Sequence, residues 1–330
     1  WIADSADSRL DWEFVSMSDY PWLLAVRKPC LSRYFTAFRA AWKGRKADVI
    51  VAHGEKISIW TGIFLRFFRH RPKFIAWGFN APTYESYSPF RKTLLRYGLQ
   101  QVDRFIVFSN MEKKLYHHGR GLPAERFDMI HWSVAKPVFS QDSHPMDEDE
   151  YIAAIGGEGR DYATLFRAMA SLKTLKLIVV GSSESLAGLN HPDNVKTYQD
   201  IPYEEAINIA NHAKFLVLPL DSQHTPCGHG SLITQYNLGK ATIISESEAM
   251  NGYAFPGENV LTYPSGDSDE LARQIQILDQ DEPLRDRIAR AGAEFAEEFC
   301  SEEFTVNYFN RYIRQHFFAD DSVNDNADQN

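Results

Sequence analysis

The sequence is poor in cysteine and has no long uninterrupted apolar run. Its three cysteines, Cys30, Cys227 and Cys300, are odd in number and scattered over 330 residues. This usage argues against a disulfide framework and favours a reducing compartment. The longest apolar candidate, residues 57–68, is interrupted by Arg66, so no bilayer-spanning segment is expected. No secretory signal opens the chain, which begins at Trp1, so we predict a cytoplasmic protein and leave open whether residues precede it.

Acidic residues are missing from one segment of the first half. Residues 27–46 contain seven Lys or Arg, no Asp or Glu, and the aromatic residues Tyr34, Phe35, Phe38 and Trp42. Residues 1–130 carry 21 basic and 12 acidic residues, a net charge of +9, whereas the remaining 200 carry 14 and 32, a net charge of −18. Basic, aromatic helices are typical of anionic membrane surfaces and of acidic partners. Segment 27–46 therefore predicts peripheral binding at the inner face of the membrane, or else a solvated basic face whose aromatic residues pack inward.

Strand and helix patterns alternate through the first half. Short apolar strands are predicted at 48–54, 73–79, 104–110 and 127–133, and helical patterns at 57–70, 89–101 and 110–118 separate them. This alternation predicts a parallel sheet with helices on its faces. We expect an acceptor-side Rossmann-like domain over residues 1–138, without the usual opening strand and glycine loop.

The alternation restarts after a polar, acidic linker at residues 139–150. Strands are predicted at 151–157, 175–181, 194–199, 215–220, 241–245 and 259–264. The sequence therefore predicts an α/β protein with two Rossmann-like domains facing across a cleft, the second over residues 151–303. An amphipathic docking helix is expected at 304–318, and a disordered acidic tail at 319–330.

Residues 215–245 form a strand, loop, helix and strand unit whose loop is rich in glycine. Gly228 and Gly230 allow the backbone to approach a bulky anion, and Ser231 is expected to cap the helix that follows. In a parallel α/β sheet this loop falls at the carboxyl edge, where ligands bind. The helix start favours negative charge, so a phosphate-bearing ligand is predicted; an ordinary tight connection is the alternative.

A second glycine loop follows the first strand of the second half. It contains Gly156, Gly157 and, at a helix start, Arg160. A guanidinium there can hold a diphosphate through two parallel hydrogen bonds. The alternative is a surface arginine paired with Asp161 or Glu158.

Residues 151 to about 303 resemble the donor-binding domain of GT-B glycosyltransferases of family 4. The segments that carry the resemblance are GGEGRDYATLFRAM, LKLIVVGSS, GSLITQYNLGKATIIS and NGYAFPGENVLTYPSGDSDELARQI. The resemblance implies a retaining transfer of a sugar from a nucleotide-sugar, with Arg160 on the donor diphosphate. It also implies that Asp200 and Ile201 border the base. The residues implied to hold phosphate and sugar are Gly228, His229, Gly230 and Ser231.

The sequence departs from the family pattern at three places. The two Glu residues that the family commonly places beside this loop are replaced by Pro226 and Thr234, and the Lys partner of the loop arginine is missing or falls near Asp161. The acceptor-side His has no clear match, although His53 and Asn80 follow predicted strands. We take His53 as the candidate acceptor contact and second catalytic residue, against simple packing at the end of a strand.

Other chemistries fit the sequence less well. His224, Cys227 and His229 match no standard metal spacing, GHGSL lacks the glycine that a hydrolase elbow needs after Ser231, and no nucleic-acid module is visible. The Asp-x-Asp runs at 147–149, 267–269 and 279–281 lie in the linker, at a helix start and in a turn. We predict a metal-independent glycosyltransferase acting on a glycan, lipid-linked or small-molecule acceptor. The alternative is a catalytically silent GT-B subunit that binds a partner or a membrane.

Overall fold

The computed structural model describes residues 10–19, 29–79, 87–138, 149–221 and 227–317. The chain divides into two compact units, which join in sequence between Ile130 and His131. Most of the predicted linker and the predicted acidic tail lie outside the described residues. No helix within the described ranges is both long and apolar enough to cross a bilayer.

The first unit contains a four-stranded sheet in the order β1-β2-β3-β4, in which every pairing is parallel. The four strands predicted in the first half are confirmed, with β3 and β4 shorter than expected. The strands are β1 (Val49–His53), β2 (Lys73–Trp77), β3 (Arg104–Val107) and β4 (Phe127–Met129). The helices are α1 (Pro29–Gly44), α2 (Glu55–Leu65), α3 (Pro89–Leu99) and α4 (Asn110–Arg120).

Helices α2 and α3 approach each other closely because both carry a glycine at the crossing. A Cβ added to Gly62 would lie 2.2 Å from the carbonyl oxygen of Gly98, and one added to Gly98 would lie 2.4 Å from that of Ile59. Helix α4 begins with a capping box formed by Ser109 and Glu112. Glycine at the crossing therefore sets the distance between α2 and α3 and, through it, how the core of this unit packs.

The second unit contains a six-stranded sheet in the order β10-β9-β8-β5-β6-β7. All of its pairings are parallel. Numbered from β5, this is the doubly wound Rossmann order, which reverses direction between β5 and β8. The strands are β5 (Tyr151–Ile155), β6 (Lys176–Gly181), β7 (Val195–Gln199), β8 (Leu216–Leu218), β9 (Thr242–Ser245) and β10 (Leu261–Tyr263).

Several helices of the second unit start at side-chain caps, and one of these caps was expected from the sequence. Asp267 accepts from the backbone of Asp269 and Glu270, as expected for a helix start, and Asp281 caps the next helix. The helices are α5 (Tyr162–Ser171), α6 (Ser183–Leu186), α7 (Tyr203–His212), α8 (His229–Asn237), α9 (Ser268–Gln280), α10 (Glu282–Phe299) and α11 (Glu302–Phe317). Phe309 and Tyr312 of α11 are buried.

Gly62→Ala is expected to destabilise the first unit by about 1–3 kcal/mol, because the new methyl group forces α2 and α3 apart. Gly119→Ala is the matched control. Gly119 also lies in a helix, but nothing lies within 4 Å of its added Cβ, so the substitution should be neutral or stabilising. Urea unfolding followed by tryptophan fluorescence measures both. Equal unfolding midpoints for the two variants would contradict the proposed close contact.

Candidate functional site

The two predicted ligand loops meet at the point where the strand order of the second unit reverses. One follows β5 and the other follows β8, so both lie at the carboxyl edge of neighbouring strands. Their backbones are joined: Asp161 N–H donates to Pro219 O at 2.9 Å, and Asp221 N–H donates to Gly159 O at 3.0 Å. A reversal of strand order is where open α/β sheets form a ligand crevice. The convergence expected from the sequence is therefore present.

The side chain of Arg160 connects the two loops. Its Nη2 donates to Ser231 Oγ at 2.7 Å and its Nη1 to Glu158 O at 2.9 Å. Its Nε is buried and makes no hydrogen bond. No carboxylate in the described part of the chain forms an ion pair with it, so pairing with Asp161 or Glu158 is not observed. Burial lowers the pKa of Arg160, but a guanidinium still keeps its proton at neutral pH.

The loop after β5 is shaped to fit this guanidinium. Gly156 has φ 148°, and a Cβ there would lie 2.5 Å from Arg160 Nε. Tyr162 is buried beneath the loop and its hydroxyl donates to the carbonyl oxygens of Gly156 and Val180. Burial raises the pKa of Tyr162, which keeps the hydroxyl protonated as a donor. The arginine therefore lies against a backbone that only glycine permits.

Helix α8 starts at Gly228, in a way the sequence did not predict. Gly228 occupies the N-cap position with φ 94° and supplies no side-chain cap. Ser231, expected to cap the helix, instead accepts the hydrogen bond from Arg160, so that expectation was wrong. The first N–H groups of a helix have no intrahelical acceptor and carry partial positive charge. The uncapped start of α8 and the Arg160 guanidinium thus place positive potential at one edge.

His229, predicted to contact the donor, points its side chain into the protein. It is 4% exposed, and its Nε2–H donates to Ala249 O at 2.9 Å. The His229 ring packs edge-on against the Tyr253 ring. The His131 ring also packs edge-on against Tyr253. His131 Nε2–H donates to Gly252 O. The His229 ring therefore holds the Gly252–Tyr253 turn, and only its backbone belongs to the helix start.

The remaining predicted donor residues lie on the same edge of the sheet. Gly157 packs near Ser182, which follows β6. Asp200, which follows β7, has φ 51° and accepts from Ser183 N–H at 3.1 Å. Ile201 is half-buried against the adjoining core. Their predicted role beside the nucleotide base stays a prediction.

Two more predicted residues have side chains with defined surroundings. Thr234 Oγ1 donates to Gly230 O at 2.8 Å, within α8. Gly230 has nothing within 4 Å of an added Cβ, so its Cα faces open space. Cys227, considered as a metal ligand, lies instead against the glycine loop, where a Cβ on Gly159 would be 2.9 Å from its sulfur. Its contact with that loop was not anticipated from the sequence.

The acceptor-side candidates lie in the other unit. His53 ends β1 and is exposed, with its Nε2 3.1 Å from where a Cβ on Gly78 would be. Asn80 lies outside the described residues, as do Pro226 and His224. Across the described ranges, no three His, Cys, Asp or Glu side chains are grouped so as to hold a metal ion.

Comparison with known proteins agrees with the resemblance found in the sequence. Residues 160–308, somewhat less than half of the chain, match the family model described as "Glycosyl transferase-like". No match was found among curated proteins by sequence search. The second unit is therefore glycosyltransferase-like.

Solved structures extend the similarity to both units. Sucrose-phosphate synthase from Thermosynechococcus elongatus aligns with a TM-score of 0.69 at 20% identity, over 89% of this chain and 80% of that one. HepE of Anabaena in complex with UDP aligns with a TM-score of 0.65 at 15% identity, over 88% and 84%. A glycosyltransferase from Rickettsia africae aligns with a TM-score of 0.63 at 12% identity, over 88% and 82%. At these identities the similarity establishes the fold, which is GT-B.

The stability of the second unit is expected to fall as the pH is lowered from about 6.5 to 4. Burial lowers the pKa of His229 to about 4, from an ordinary value of 6.5. Between these two pH values His229 binds a proton in the unfolded chain but not in the folded one. The contribution of neutral His229 to the free energy of unfolding is therefore fully present above pH 6.5 and is lost as the pH falls toward 4. The loss is about 3 kcal/mol over the full window. Burial lowers the pKa of His131 as well, which adds in the same direction.

Urea unfolding at a series of pH values measures this dependence. His229→Gln keeps an amide donor near Ala249 O but removes the titrating group, so its stability should change less between pH 7 and pH 4.5. His191→Gln, at an exposed position of the same unit, should follow the wild-type curve. Identical pH dependence in wild type and His229→Gln would show that His229 is not the group responsible.

Proposed function

We propose that this GT-B chain, with its glycosyltransferase-like second unit, transfers a sugar from a nucleotide-sugar donor to an acceptor. One observation carries the proposal: the half-buried guanidinium of Arg160, whose Nε is shielded from water and which has no carboxylate partner in the described residues, lies at the strand reversal beside the uncapped start of α8. A cation partly withdrawn from water without an anionic partner is costly. The diphosphate of a donor supplies the missing negative charge.

The chemistry that this arrangement supports is departure of a nucleoside diphosphate. Negative charge grows on the diphosphate as the bond to the sugar breaks. Arg160 and the N–H groups at the start of α8 face that charge and need no rearrangement to stabilise it. The positive potential at this edge makes a divalent ion unnecessary, so we propose that transfer is metal-independent. The resemblance to family 4 supports retention of the anomeric configuration.

The donor and acceptor are proposed by class. The related structures of HepE contain UDP and UDP-glucose, which makes a uridine diphosphate sugar the first donor to test. Loops after β6 and β7, with Asp200 and Ile201, would border the base. A glycan, lipid-linked or small-molecule acceptor would bind the first unit, where His53 is the candidate contact.

Arg160→Ala should abolish donor binding and reduce turnover. UDP should raise the melting temperature of the wild-type protein, because a ligand that binds only the folded state stabilises it. The Arg160→Ala variant should show no such shift, and kcat for hydrolysis of UDP-glucose should fall by a factor of about 100 or more. EDTA should leave wild-type turnover unchanged.

Two further variants make this experiment specific. Arg167→Ala, on the exposed side of α5, removes one positive charge away from the loops and should behave as wild type. Arg160→Lys keeps the charge but loses the two-pronged donor, so it should bind UDP more weakly than wild type. Absence of a melting shift with UDP, GDP, ADP and dTDP alike would overturn the donor site. Activity lost with EDTA and restored by manganese would overturn metal independence.

A second candidate function, membrane binding, is favoured by the surface of α1. Its buried side holds small residues, Ser32, Thr36, Ala37 and Ala41. Its outer side carries an aromatic stripe at helical spacing, which consists of Tyr34, Phe38 and Trp42, each 39–44% exposed, and Leu31 beside it is 47% exposed. These side chains are partly packed, as the alternative from the sequence expects, and keep two-fifths or so of their surface exposed.

Rings of α2 and of the turn after it extend the aromatic stripe. Trp60, Phe64 and Phe68 contact Tyr34, Phe38 and Trp42 respectively, and Arg45 lies 3.7 Å above the Trp42 ring. Phe67 is 78% exposed. We propose that this aromatic surface inserts at the interface of an anionic bilayer, to which the positive first half of the chain is attracted. Peripheral binding of this kind would suit a lipid-linked acceptor or a catalytically silent subunit.

Sedimentation with vesicles tests this second function. Wild type should bind phosphatidylglycerol vesicles more strongly than phosphatidylcholine vesicles, and added salt should weaken binding because it screens exposed charges. Trp42→Ser with Phe67→Ser should reduce the bound fraction several-fold. Tyr203→Ser, a control at a residue 65% exposed in the second unit, should not. Equal binding to neutral and anionic vesicles, or no binding to either, would contradict the proposal that the aromatic stripe binds an anionic bilayer.

A further inference from the structure

An open pocket lined by three arginines lies in the first unit, at the edge of the sheet opposite His53. Its volume is about 600 Å³, and Arg66, Arg96 and Arg126 line it together with Gln100, Gln101 and the turn 121–123. Gln101 leads into β3 and Arg126 immediately precedes β4, so the pocket lies at the amino edge of the strands. The pocket is therefore distinct from the two loops of the second unit at which sugar transfer is proposed.

The three guanidiniums carry no compensating negative charge from the described residues. No carboxylate lines the pocket. Arg66 donates to Tyr97 O and Gln100 Oε1, Arg96 to Arg120 O, and Arg126 to Gln100 O and Val102 O, all of them neutral oxygens. None of the three forms an ion pair within the described residues.

Three other arginines of the same unit, which lie near the sheet, are paired with acids. Arg71 lies 3.1 Å from Asp103, Arg104 lies 3.9 Å from Asp128, and buried Arg120 lies 2.6 Å from Glu55. These three arginines are neutralised by acids of their own unit. The three arginines of the pocket are not.

Capping of helix ends explains part of this arrangement. The backbone acceptors of Arg66 and Arg96, Tyr97 O and Arg120 O, are carbonyls in the last turns of α3 and α4, which arginine commonly satisfies. Capping one helix end needs one hydrogen bond, however, and each guanidinium has five N–H groups. In the described structure, Nη1 of Arg66, Nη1 of Arg96 and Nη2 of Arg126 donate to no protein atom. The carbonyls therefore hold the guanidiniums in place and leave donors free.

Neighbouring groups fix the position of the guanidiniums before any ligand arrives. Arg66 stacks on the Tyr97 ring at 3.6 Å. Gly121, with φ 61° at the end of α4, leaves room for Arg96, whose Nη2 would lie 2.7 Å from an added Cβ. Positioned donors bind an anion with less loss of side-chain freedom. The pocket is built, rather than being a chance grouping of mobile side chains.

We propose that this pocket binds a phosphate or diphosphate group. Arginine offers parallel N–H donors that match the oxygens of a phosphate, and three positive charges around one volume raise its potential for an anion. The amides of Gln100 and Gln101 add neutral hydrogen-bonding groups. The volume falls within the range of small-molecule sites, so the phosphate belongs to a larger molecule. That molecule is either a soluble phosphorylated compound or a phospholipid headgroup.

Calorimetric titration with sodium pyrophosphate tests the pocket. The donor loops could also bind pyrophosphate, so the titration is made in wild type and in the Arg160→Ala variant. Pyrophosphate binding should persist in Arg160→Ala and weaken at least tenfold when Arg66→Gln and Arg126→Gln are added. Arg91→Gln removes one charge from the exposed start of α3, outside the pocket, and should leave the affinity unchanged.

Three results would overturn the proposal: no pyrophosphate binding in Arg160→Ala, equal affinity with and without the pocket substitutions, or an equal loss in Arg91→Gln. Absence of pyrophosphate binding in Arg160→Ala would contradict the pocket but not the donor site. The two proposals can therefore be rejected independently. Unfolding midpoints show whether the substituted proteins fold. If the Gln variants do not, Arg66→Lys with Arg126→Lys keeps the charge and removes the parallel donors, and should weaken binding several-fold.

Vesicle sedimentation distinguishes the two sources of phosphate. Loss of binding to phosphatidylglycerol vesicles on substitution of Arg66 and Arg126, but not of Arg91, would assign the pocket to a lipid headgroup. Pyrophosphate binding without any effect of these substitutions on vesicle binding would assign it to a soluble phosphorylated compound. Either assignment requires the pocket arginines.

Discussion

Partial burial of the Arg160 guanidinium without a carboxylate partner is the constraint on which the candidate site depends. The loop after β5 accommodates it through Gly156, whose backbone conformation and lack of Cβ leave space for the side chain. Ser231 accepts its hydrogen bond from the first turn of α8, and this bond joins the two loops. An acid at either place would neutralise the guanidinium and remove the reason for an anion to bind. The loops are thus arranged to keep the charge available.

Much of the fold could be predicted because parallel strands are buried on both faces and read as short apolar runs. All ten strands of the described residues fall at predicted runs. Strands β5 and β8, for example, contain only apolar residues. The order of the strands in the sheet was harder to predict from the sequence. It depends on which strand lies beside β5, and the single β5–β8 pairing joins residues distant in sequence. The strand reversal that locates the site is a property of this long-range pairing.

The side chains of the site could be predicted only where local sequence determines them. Arg160 at a glycine loop was identified because a loop glycine and a helix start are local features. His229 lies within the same motif, yet its ring contacts Ala249 and Tyr253 rather than the ligand edge. His131, far from both residues in sequence, packs against the same tyrosine. Such three-ring packing has no local signature, so the motif alone assigned His229 a role that its side chain does not support.

Unpaired arginines occur in both units, and the surroundings of each group decide what can be inferred from it. Arg160 is half-buried and its Nε is shielded from water without a hydrogen-bond partner, so desolvation strengthens its need for an anion and limits the ligand to what fits between two loops. The pocket arginines Arg66, Arg96 and Arg126 surround an open volume, where water screens each of them. Their attraction for an anion must therefore come from three charges acting together on one volume. A single surface arginine without a carboxylate would support no such inference, because solvent alone satisfies it.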